Sequence, residues 1–263
     1  MSMRQAAYAL GLIYLLVMGA PTGAHAVSDD AALDALAAAY PDALLRHDGR
    51  TLIWRDGTTM PAGDDAPDKS FDDLLRKPSV LDQFHQLYPQ GRLAAPPGEN
   101  LDPGRFRNTA LLRKLYGDCT KGEVEKQLVP VRWLPKTANR RIQITRAHGV
   151  ADALAAVSRE IDALPAEIRH AAYPIAGTYN CRPVADTGVF SMHAYGAAID
   201  LNLRFSDYWL TDQKARGSIT YRNRMPQEIV DIFERHGFIW GGKWYHYDTM
   251  HFEFRPELLK LKD

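Results

Sequence analysis

The most constraining feature of the sequence is a pair of short segments in which polar and apolar residues alternate. The first segment, 198–203 (Ala-Ile-Asp-Leu-Asn-Leu), places Asp200 on the face opposite its Ile and Leu side chains. The second, 250–255 (Met-His-Phe-Glu-Phe-Arg), places His251 opposite its Met and Phe side chains. Because side chains alternate between the two faces of a strand, both segments are predicted to be strands with one polar face. On two adjacent strands, Asp200 and His251 would extend from the same face of one sheet.

A second histidine, His193, comes shortly before the first of these strands. Gly196 follows it and permits a tight reversal of the chain, so that His193 can join Asp200 and His251. Two imidazoles and one carboxylate can form the three protein ligands of a catalytic zinc ion, which keeps another position open for water. We therefore expect Zn²⁺ to be bound by His193, Asp200 and His251. Any one of these residues alone would more often be structural, so the prediction depends on their combination.

Asp248 lies three residues before His251, on the turn that is predicted to lead into the second strand. We expect it beside the metal, without necessarily being bound to it, as a carboxylate that can serve as a general base. Its alternative role is to orient a ligand histidine through a hydrogen bond.

The spacing of these residues resembles that of a family of bacterial zinc peptidases. The pattern S-x-H-x-x-G-x-A-x-D at 191–200, followed by D-x-x-H at 248–251, is similar to that of the zinc D-Ala-D-Ala carboxypeptidases and dipeptidases and the phage L-alanyl-D-glutamate endolysins. Lysostaphin-type peptidases and the hedgehog signalling domain share this zinc site. The segments 240–248 (W-G-G-K-W-Y-H-Y-D) and 179–182 (Y-N-C-R) resemble the carboxypeptidase-like branch. The likeness covers roughly the last half of the chain, from about Pro130 onward.

The resemblance implies a role for several residues. It implies the same three zinc ligands, and it places Asp248 in the position of the catalytic general base. It implies that Arg182 binds the substrate or the developing oxyanion, whereas an ordinary structural arginine is the alternative. Ser191 either hydrogen-bonds the substrate or caps the turn before the first ligand histidine. Cys181 departs from the family pattern, in which an aromatic residue such as tryptophan is expected.

The remaining histidine and the aromatic residues of the second motif are predicted to be structural. His246 lies five residues before the ligand His251, within an aromatic run. Large aromatic side chains bury much apolar area, so we expect them to form core and cleft wall rather than a sugar-binding platform. These aromatic residues are Trp240, Trp244, Tyr245 and Tyr247.

The first 26 residues have the features of a secretory signal peptide. Arg4 precedes an apolar stretch from Ala6 to Ala20, and residues 24–26 (Ala-His-Ala) offer a cleavage site before Val27. The apolar stretch is shorter than the ~20 residues of a bilayer span, and no later stretch is long enough. We therefore expect an exported protein, periplasmic or secreted, with no membrane span after signal removal. An uncleaved anchor is the alternative.

Charge and cysteine content bear on the binding partners and the disulfide bonding of the protein. The chain has 32 basic and 32 acidic residues, so no strong attraction to nucleic acid or anionic lipid is expected. Its two cysteines, Cys119 and Cys181, favour a disulfide in an exported protein, with two separate buried thiols as the alternative. Neither is expected to bind zinc, because the His/Asp/His set already completes a catalytic site. The sequence does not indicate an oligomeric state.

The chain after the signal peptide divides into two regions. Residues 27–128 are an N-terminal extension of unknown role, with a helical pattern over 30–45 that is broken at Pro41, a short strand at 51–54 and a Pro- and Gly-rich loop at 93–104. Residues 129–263 are predicted to be the zinc peptidase domain.

The order of elements in the second region predicts an α+β fold. A strand at 141–146 precedes a helix at 150–164, and a second helix at 226–237 lies between the two metal-binding strands. The second helix has Pro at its start, acidic residues in its first turn and Gly at its end. We expect an antiparallel sheet that bears the zinc site on one face, with the helices packed behind it.

Together these observations predict an exported zinc peptidase that hydrolyses D-amino-acid-containing peptide bonds of peptidoglycan stem peptides. The substrate class comes from the resemblance and the signal peptide, because spacing alone supports only metal-dependent hydrolysis. A hedgehog-like, non-catalytic zinc-containing cell-wall binding module is the alternative. Asp248 argues against that alternative, since a structural zinc site has no use for a carboxylate at its open position. A zinc hydrolase of other amides is a third interpretation, and carboxypeptidase, dipeptidase and endopeptidase activity all remain open.

Overall fold

The computed structural model describes residues 27–64, 66, 68–184 and 187–261. The predicted signal peptide and its alternative, an uncleaved anchor, lie outside these residues. No helix in the described part of the chain is long and apolar enough to cross a membrane.

The fold class is α+β, as predicted from the sequence. The helices are α1 (Asp29–Ala39), α2 (Phe71–Arg76), α3 (Thr109–Tyr116), α4 (Val150–Asp162), α5 (Ala166–Arg169), α6 (Trp209–Arg216), α7 (Gln227–Arg235) and α8 (Pro256–Leu259). The strands are β1 (Leu44–Asp48), β2 (Thr51–Trp54), β3 (Thr59–Pro61), β4 (Leu128–Trp133), β5 (Arg140–Thr145), β6 (Ala198–Asp200), β7 (Phe238–Trp240) and β8 (His251–Phe254).

The described strands form three antiparallel sheets, in the orders β1-β2-β3, β4-β5 and β6-β8-β7. In the third sheet, β8 lies in the centre, and Asp200 of β6 is paired directly with His251 of β8. The two polar-faced strands are therefore neighbours, as predicted. The strand predicted at 141–146 is β5, and it pairs with β4 in a separate hairpin rather than in the sheet that bears the site. The short connection over 134–139 favours this local pairing.

Helix ends follow the local sequence. The Ser28 side chain accepts a hydrogen bond from the backbone N–H of Ala31 and caps α1, which ends at Ala39 before Pro41. The helical pattern over 30–45 is therefore broken at Pro41, as predicted, and its last residues enter β1. α7 begins directly after Pro226.

Strand β7 was not predicted from the sequence. Its three residues, Phe238, Ile239 and Trp240, are all buried, so they lack the alternation of polar and apolar side chains that identifies a half-exposed strand. The strand forms the second neighbour of β8 and completes the sheet on the side away from β6.

The N-terminal extension shares one hydrophobic core with the predicted peptidase domain. Buried residues from both regions form a continuous cluster, in which Leu36 of α1 and Leu258 of α8 are both included. Buried polar contacts also join the two regions: the Tyr88 hydroxyl donates to Glu234 of α7 at 2.7 Å, and the Tyr40 hydroxyl donates to Glu257 of α8 at 2.8 Å. The extension therefore packs directly against α7 and α8, the helices that precede and follow strands β7 and β8 in the chain.

Candidate metal centre and cleft

The backbone around Gly196 places His193 beside the sheet. His193 lies on a short 3₁₀ helix, Met192–Tyr195, at the position where a turn was predicted. Gly196 ends this helix with a φ of +64°, and a Cβ atom there would lie 2.7 Å from the Leu128 side chain and 3.3 Å from the Thr145 backbone nitrogen. Both the left-handed conformation and the close approach of β5 require glycine. The chain then enters β6 directly.

The structure brings the three predicted metal-binding residues together. His193 Nε2 lies 3.1 Å from Asp200 Oδ1 and 3.1 Å from His251 Nδ1, and His251 Nδ1 lies 2.9 Å from the same Asp200 oxygen. Among the described residues these three side chains form a group that could hold a metal ion. One atom from each side chain therefore points toward a common centre.

The hydrogen bonds around the two imidazoles fit a cation at that centre. His193 Nδ1–H donates to the Thr178 carbonyl oxygen at 2.5 Å, and His251 Nε2–H donates to Glu253 Oε2 at 2.9 Å. With protons on those nitrogens, assigned from their partners, His193 Nε2 and His251 Nδ1 present lone pairs toward the Asp200 oxygen. Three acceptors this close repel one another unless a positive charge lies between them. A tetrahedral zinc ion with bonds of about 2.0–2.1 Å holds ligand atoms about 3.3 Å apart, so the residues fit zinc.

The electrostatics of the group also favour positive charge. Burial alone would lower the pKa of His251, but the hydrogen bonds and charges of Asp200 and Glu253 raise it to about 10. Burial would raise the pKa of the Asp200 carboxyl, but the charges and hydrogen bonds of His193 and His251 hold it well below its usual range. Without a metal the group therefore retains a proton, and a divalent cation can replace that proton.

Glu253 orients His251, and this role was not predicted from the sequence. Glu253 is fully buried and receives hydrogen bonds from Arg107 Nη2 at 2.5 Å and Arg255 Nη1 at 3.3 Å, besides that from His251. Burial would raise the pKa of Glu253, but Arg107 and the other donors hold it well below its usual range. An ionised carboxylate on the outer nitrogen of a ligand histidine fixes the ring and its tautomer. The signal in the sequence was the position of Glu253 on the same strand face as His251, two residues later.

Asp248 lies beside the metal group. It pairs with Tyr208 in an isolated bridge, immediately before the turn that leads into β8. Its Oδ1 atom is buried and has no hydrogen-bond partner among the described residues. Burial and the nearby charge of Asp200 raise the pKa of Asp248 to about 6. A buried carboxylate oxygen without a donor is available to bind water or accept a proton.

A cleft of about 450 Å³ opens over the metal group, and both regions of the chain line it. The predicted site residues that line it are Arg182, Ser191, His193, Asp200, Asp248 and His251. The extension contributes Leu75, Arg105 and Arg107, from the part of the sequence in which no chemistry was recognised. The extension therefore forms a wall of the cleft.

The segment that carries Arg182 is attached to the extension by a disulfide. Cys119 and Cys181 are bonded, with Cα atoms 5.8 Å apart, which confirms the pairing favoured by the sequence. Arg182 follows Cys181 directly and is exposed at the cleft. Ser191 also lines the cleft, and its side chain makes no capping hydrogen bond to the following 3₁₀ helix.

The aromatic run before Asp248 is divided between core and cleft. Trp240, Trp244 and Tyr247 are buried, and Trp244 also lines the cleft, as predicted for core and cleft wall. His246 also lines the cleft, and its Nδ1 forms a hydrogen bond with Asp102 of the extension at 2.6 Å. This arrangement was not predicted, because Asp102 lies far from His246 in the sequence.

Comparison with known proteins identifies the segment that carries the site. Residues 185–254 match a family model described as D-alanyl-D-alanine carboxypeptidase. The matched segment contains His193, Asp200, Asp248 and His251. No curated protein and no solved structure gives a significant match to the chain. The family resemblance predicted from the double motif is therefore confirmed over residues 185–254, the segment that carries the metal group.

Proposed function

We propose that this protein is an exported zinc peptidase that hydrolyses D-amino-acid-containing peptide bonds of peptidoglycan stem peptides, as a D-Ala-D-Ala carboxypeptidase does. The observation that carries the proposal is the convergence of His193, Asp200 and His251 beside the unpartnered Asp248 oxygen, in a segment that matches this family. Export to the periplasm or the outside of the cell is proposed from the signal-peptide features of the first 26 residues.

Different residues of the cleft have different roles in the proposed hydrolysis. His193, Asp200 and His251 would hold the zinc ion, which acts as a Lewis acid on a carbonyl oxygen and lowers the pKa of water. Asp248 accepts the proton of the attacking water and passes it to the leaving amine. The burial of Oδ1 supports this role, because an oxygen that accepts no hydrogen bond from a described residue keeps its basicity for the water.

Substrate binding is assigned to the cations and apolar walls of the cleft. Arg182 is proposed to bind a substrate carboxylate or to stabilise the oxyanion, since a guanidinium forms paired hydrogen bonds with carboxylates. Ser191 is proposed to hydrogen-bond the substrate, and its unengaged capping position supports this. The disulfide beside Arg182 would limit the movement of the Arg182 backbone.

The test is hydrolysis of defined muropeptides by the purified protein, analysed by mass spectrometry. We expect loss of the terminal D-alanine from a stem peptide that ends in D-Ala-D-Ala, inhibition by a zinc chelator, and recovery when zinc is returned. An equivalent peptide that ends in L-Ala-L-Ala is the matched control. A protein that binds one zinc ion per chain but cleaves none of the peptides would overturn the proposal in favour of a non-catalytic binding module.

A further inference from the structure

His246 is held in the cleft wall by a carboxylate from the N-terminal extension. Its Nδ1–H donates to Asp102 Oδ2 at 2.6 Å, and its backbone N–H donates to Asp102 Oδ1 at 2.9 Å. Asp102 is fully buried, and Arg105 Nη1 also donates to it at 2.8 Å. Burial would raise the pKa of Asp102, but the His246 hydrogen bond and the Arg105 charge keep it below its usual range. Asp102 is therefore an ionised acceptor, which fixes a proton on Nδ1.

Aromatic rings fix the orientation of the imidazole as well. The ring of His246 stacks on Phe71 at a centroid distance of 5.7 Å and an interplanar angle of 22°. Trp209 contacts it edge to face at 4.7 Å, and Tyr245 does so at 4.9 Å. Together with the bond to Asp102, these contacts leave the ring little freedom to rotate or to flip.

The second ring nitrogen of His246, Nε2, is available to form a hydrogen bond with a ligand. In the neutral imidazole, a proton on Nδ1 leaves Nε2 with a lone pair that can accept a hydrogen bond. No described residue forms a hydrogen bond with this nitrogen. His246 lines the same cleft as Asp248 and the three metal-binding candidates. A buried aspartate that fixes the tautomer of a cleft histidine is an arrangement that prepares the other nitrogen for a ligand.

We propose that His246 is a substrate-binding residue whose Nε2 accepts a hydrogen bond from a backbone N–H of the peptide substrate. Asp102 is then a positioning residue, which acts through His246 by setting its tautomer. The proposal rests on the proposed peptidase function, since a peptide supplies the N–H donor. It gives the extension a specific part in substrate binding.

The test combines four variants with zinc analysis, thermal unfolding and steady-state kinetics on the D-Ala-D-Ala-ended peptide. We expect His246→Ala to keep its zinc and its fold and to lower kcat/KM by about tenfold or more, mainly through KM, as for one lost hydrogen bond. His246→Gln should restore part of the loss, because its carboxamide oxygen can accept a hydrogen bond near the position of Nε2. Asp102→Asn can donate to Nδ1, which moves the proton to Nε2 and should lower kcat/KM as well.

The double variant His246→Ala/Asp102→Asn separates a positioning role from a structural one. If Asp102 acts through His246, adding Asp102→Asn to His246→Ala changes kcat/KM little further. Imidazole NMR resonances of wild type and Asp102→Asn should show the proton on Nδ1 and Nε2, respectively. Strictly additive kinetic losses, or the same tautomer in both proteins, would refute the role of Asp102.

A surface pair of the same chemistry provides the control. His236 Nε2 and Glu160 Oε1 are 2.6 Å apart, and neither residue lines the cleft. His236→Ala and Glu160→Gln should leave kcat/KM unchanged.

Equilibrium binding of the same peptide distinguishes this inference from the proposed function. With hydrolysis prevented by Asp248→Asn in both proteins, calorimetry should show binding about tenfold weaker with His246→Ala than without it. A wild type that binds but does not cleave refutes the peptidase function alone. Wild-type kcat/KM and affinity in His246→Ala would refute the role of His246 alone.

Discussion

Glu253 accepts the hydrogen bond from Nε2 of His251 at 2.9 Å, from a position two residues later on the same strand. This bond leaves the lone pair of His251 Nδ1 directed toward the metal group. Arg107 of the N-terminal extension in turn donates to Glu253 at 2.5 Å. A residue outside the matched segment 185–254 is therefore joined through two hydrogen bonds to a predicted metal ligand.

The first prediction concerns the hydrogen bond between Glu253 and His251. Glu253→Gln should weaken zinc affinity by about 10–100-fold, because the neutral amide orients His251 less firmly and makes it a weaker ligand. Competition with a chromogenic chelator measures the affinity. Arg235→Met is a suitable control, since it removes an arginine that pairs with Glu160 at 2.6 Å outside the cleft. Unchanged zinc affinity in Glu253→Gln would exclude an orienting role for Glu253.

The second prediction concerns the ligands themselves. His193→Ala, Asp200→Ala and His251→Ala should each lose stoichiometric zinc together with activity, because each removes one of three ligand atoms. Metal analysis of the purified variants measures this. Full zinc occupancy in any one variant would remove that residue from the ligand set.

The sequence was sufficient to predict the strands of the metal group. Alternation in two short segments placed Asp200 and His251 on one sheet face, and direct pairing of these residues in β6 and β8 follows that prediction. Gly196 also indicated the reversal after His193, although His193 itself lies in a 3₁₀ helix rather than in a simple turn. These features depend on local periodicity and backbone conformation, which a single sequence records.

The contribution of the extension could not be predicted in the same way. Asp102 and His246 are 144 positions apart, and Arg107 and Glu253 are 146 apart, so their pairing depends on tertiary packing. Periodicity reports which face of an element is buried, but it does not report which distant side chain covers that face. A buried charge on a strand, such as Glu253, does indicate that a partner must exist.

A third prediction concerns the disulfide. Replacing Cys119 and Cys181 together by Ala should lower the free energy of unfolding by about 2–4 kcal/mol, as for other bridges that close long loops. The residues it joins are 62 positions apart. Denaturant titration measures the change, and free-thiol titration of denatured wild type should find no reactive thiol. Cys119→Ala alone should match the double variant in stability if the bond itself, rather than either side chain, is responsible.

The fourth prediction is a pH dependence. Burial and the charge of Asp200 raise the pKa of Asp248 to about 6, and a bound divalent cation would lower it from there. A general base must be deprotonated, so kcat/KM should fall as the pH decreases through a value at or below about 6. A pH–rate profile, with zinc content measured at each pH, tests this. Activity that increases on acidification would contradict the assignment of Asp248 as the base.

The last prediction separates the base from the ligands. Asp248→Asn should keep its zinc and its fold, because the amide is nearly isosteric with the carboxylate and the three ligand residues remain. It should lose activity by about 10²–10⁴-fold, as for removal of a group that transfers protons. Because asparagine cannot accept the proton of water, the loss should lie in kcat more than in substrate affinity.

Zinc content, peptide binding and turnover should be measured on one preparation of Asp248→Asn, with Asp248→Glu as the matched variant that keeps the carboxylate. If Asp248 only oriented a ligand histidine, the substitution would change zinc affinity first, and added zinc would restore turnover. If the protein were a non-catalytic module, wild type and variant would both be inactive and would bind the peptide equally. Near-normal turnover in Asp248→Asn would exclude Asp248 as the base even with the zinc ligands correctly assigned, because the water proton would then have another acceptor.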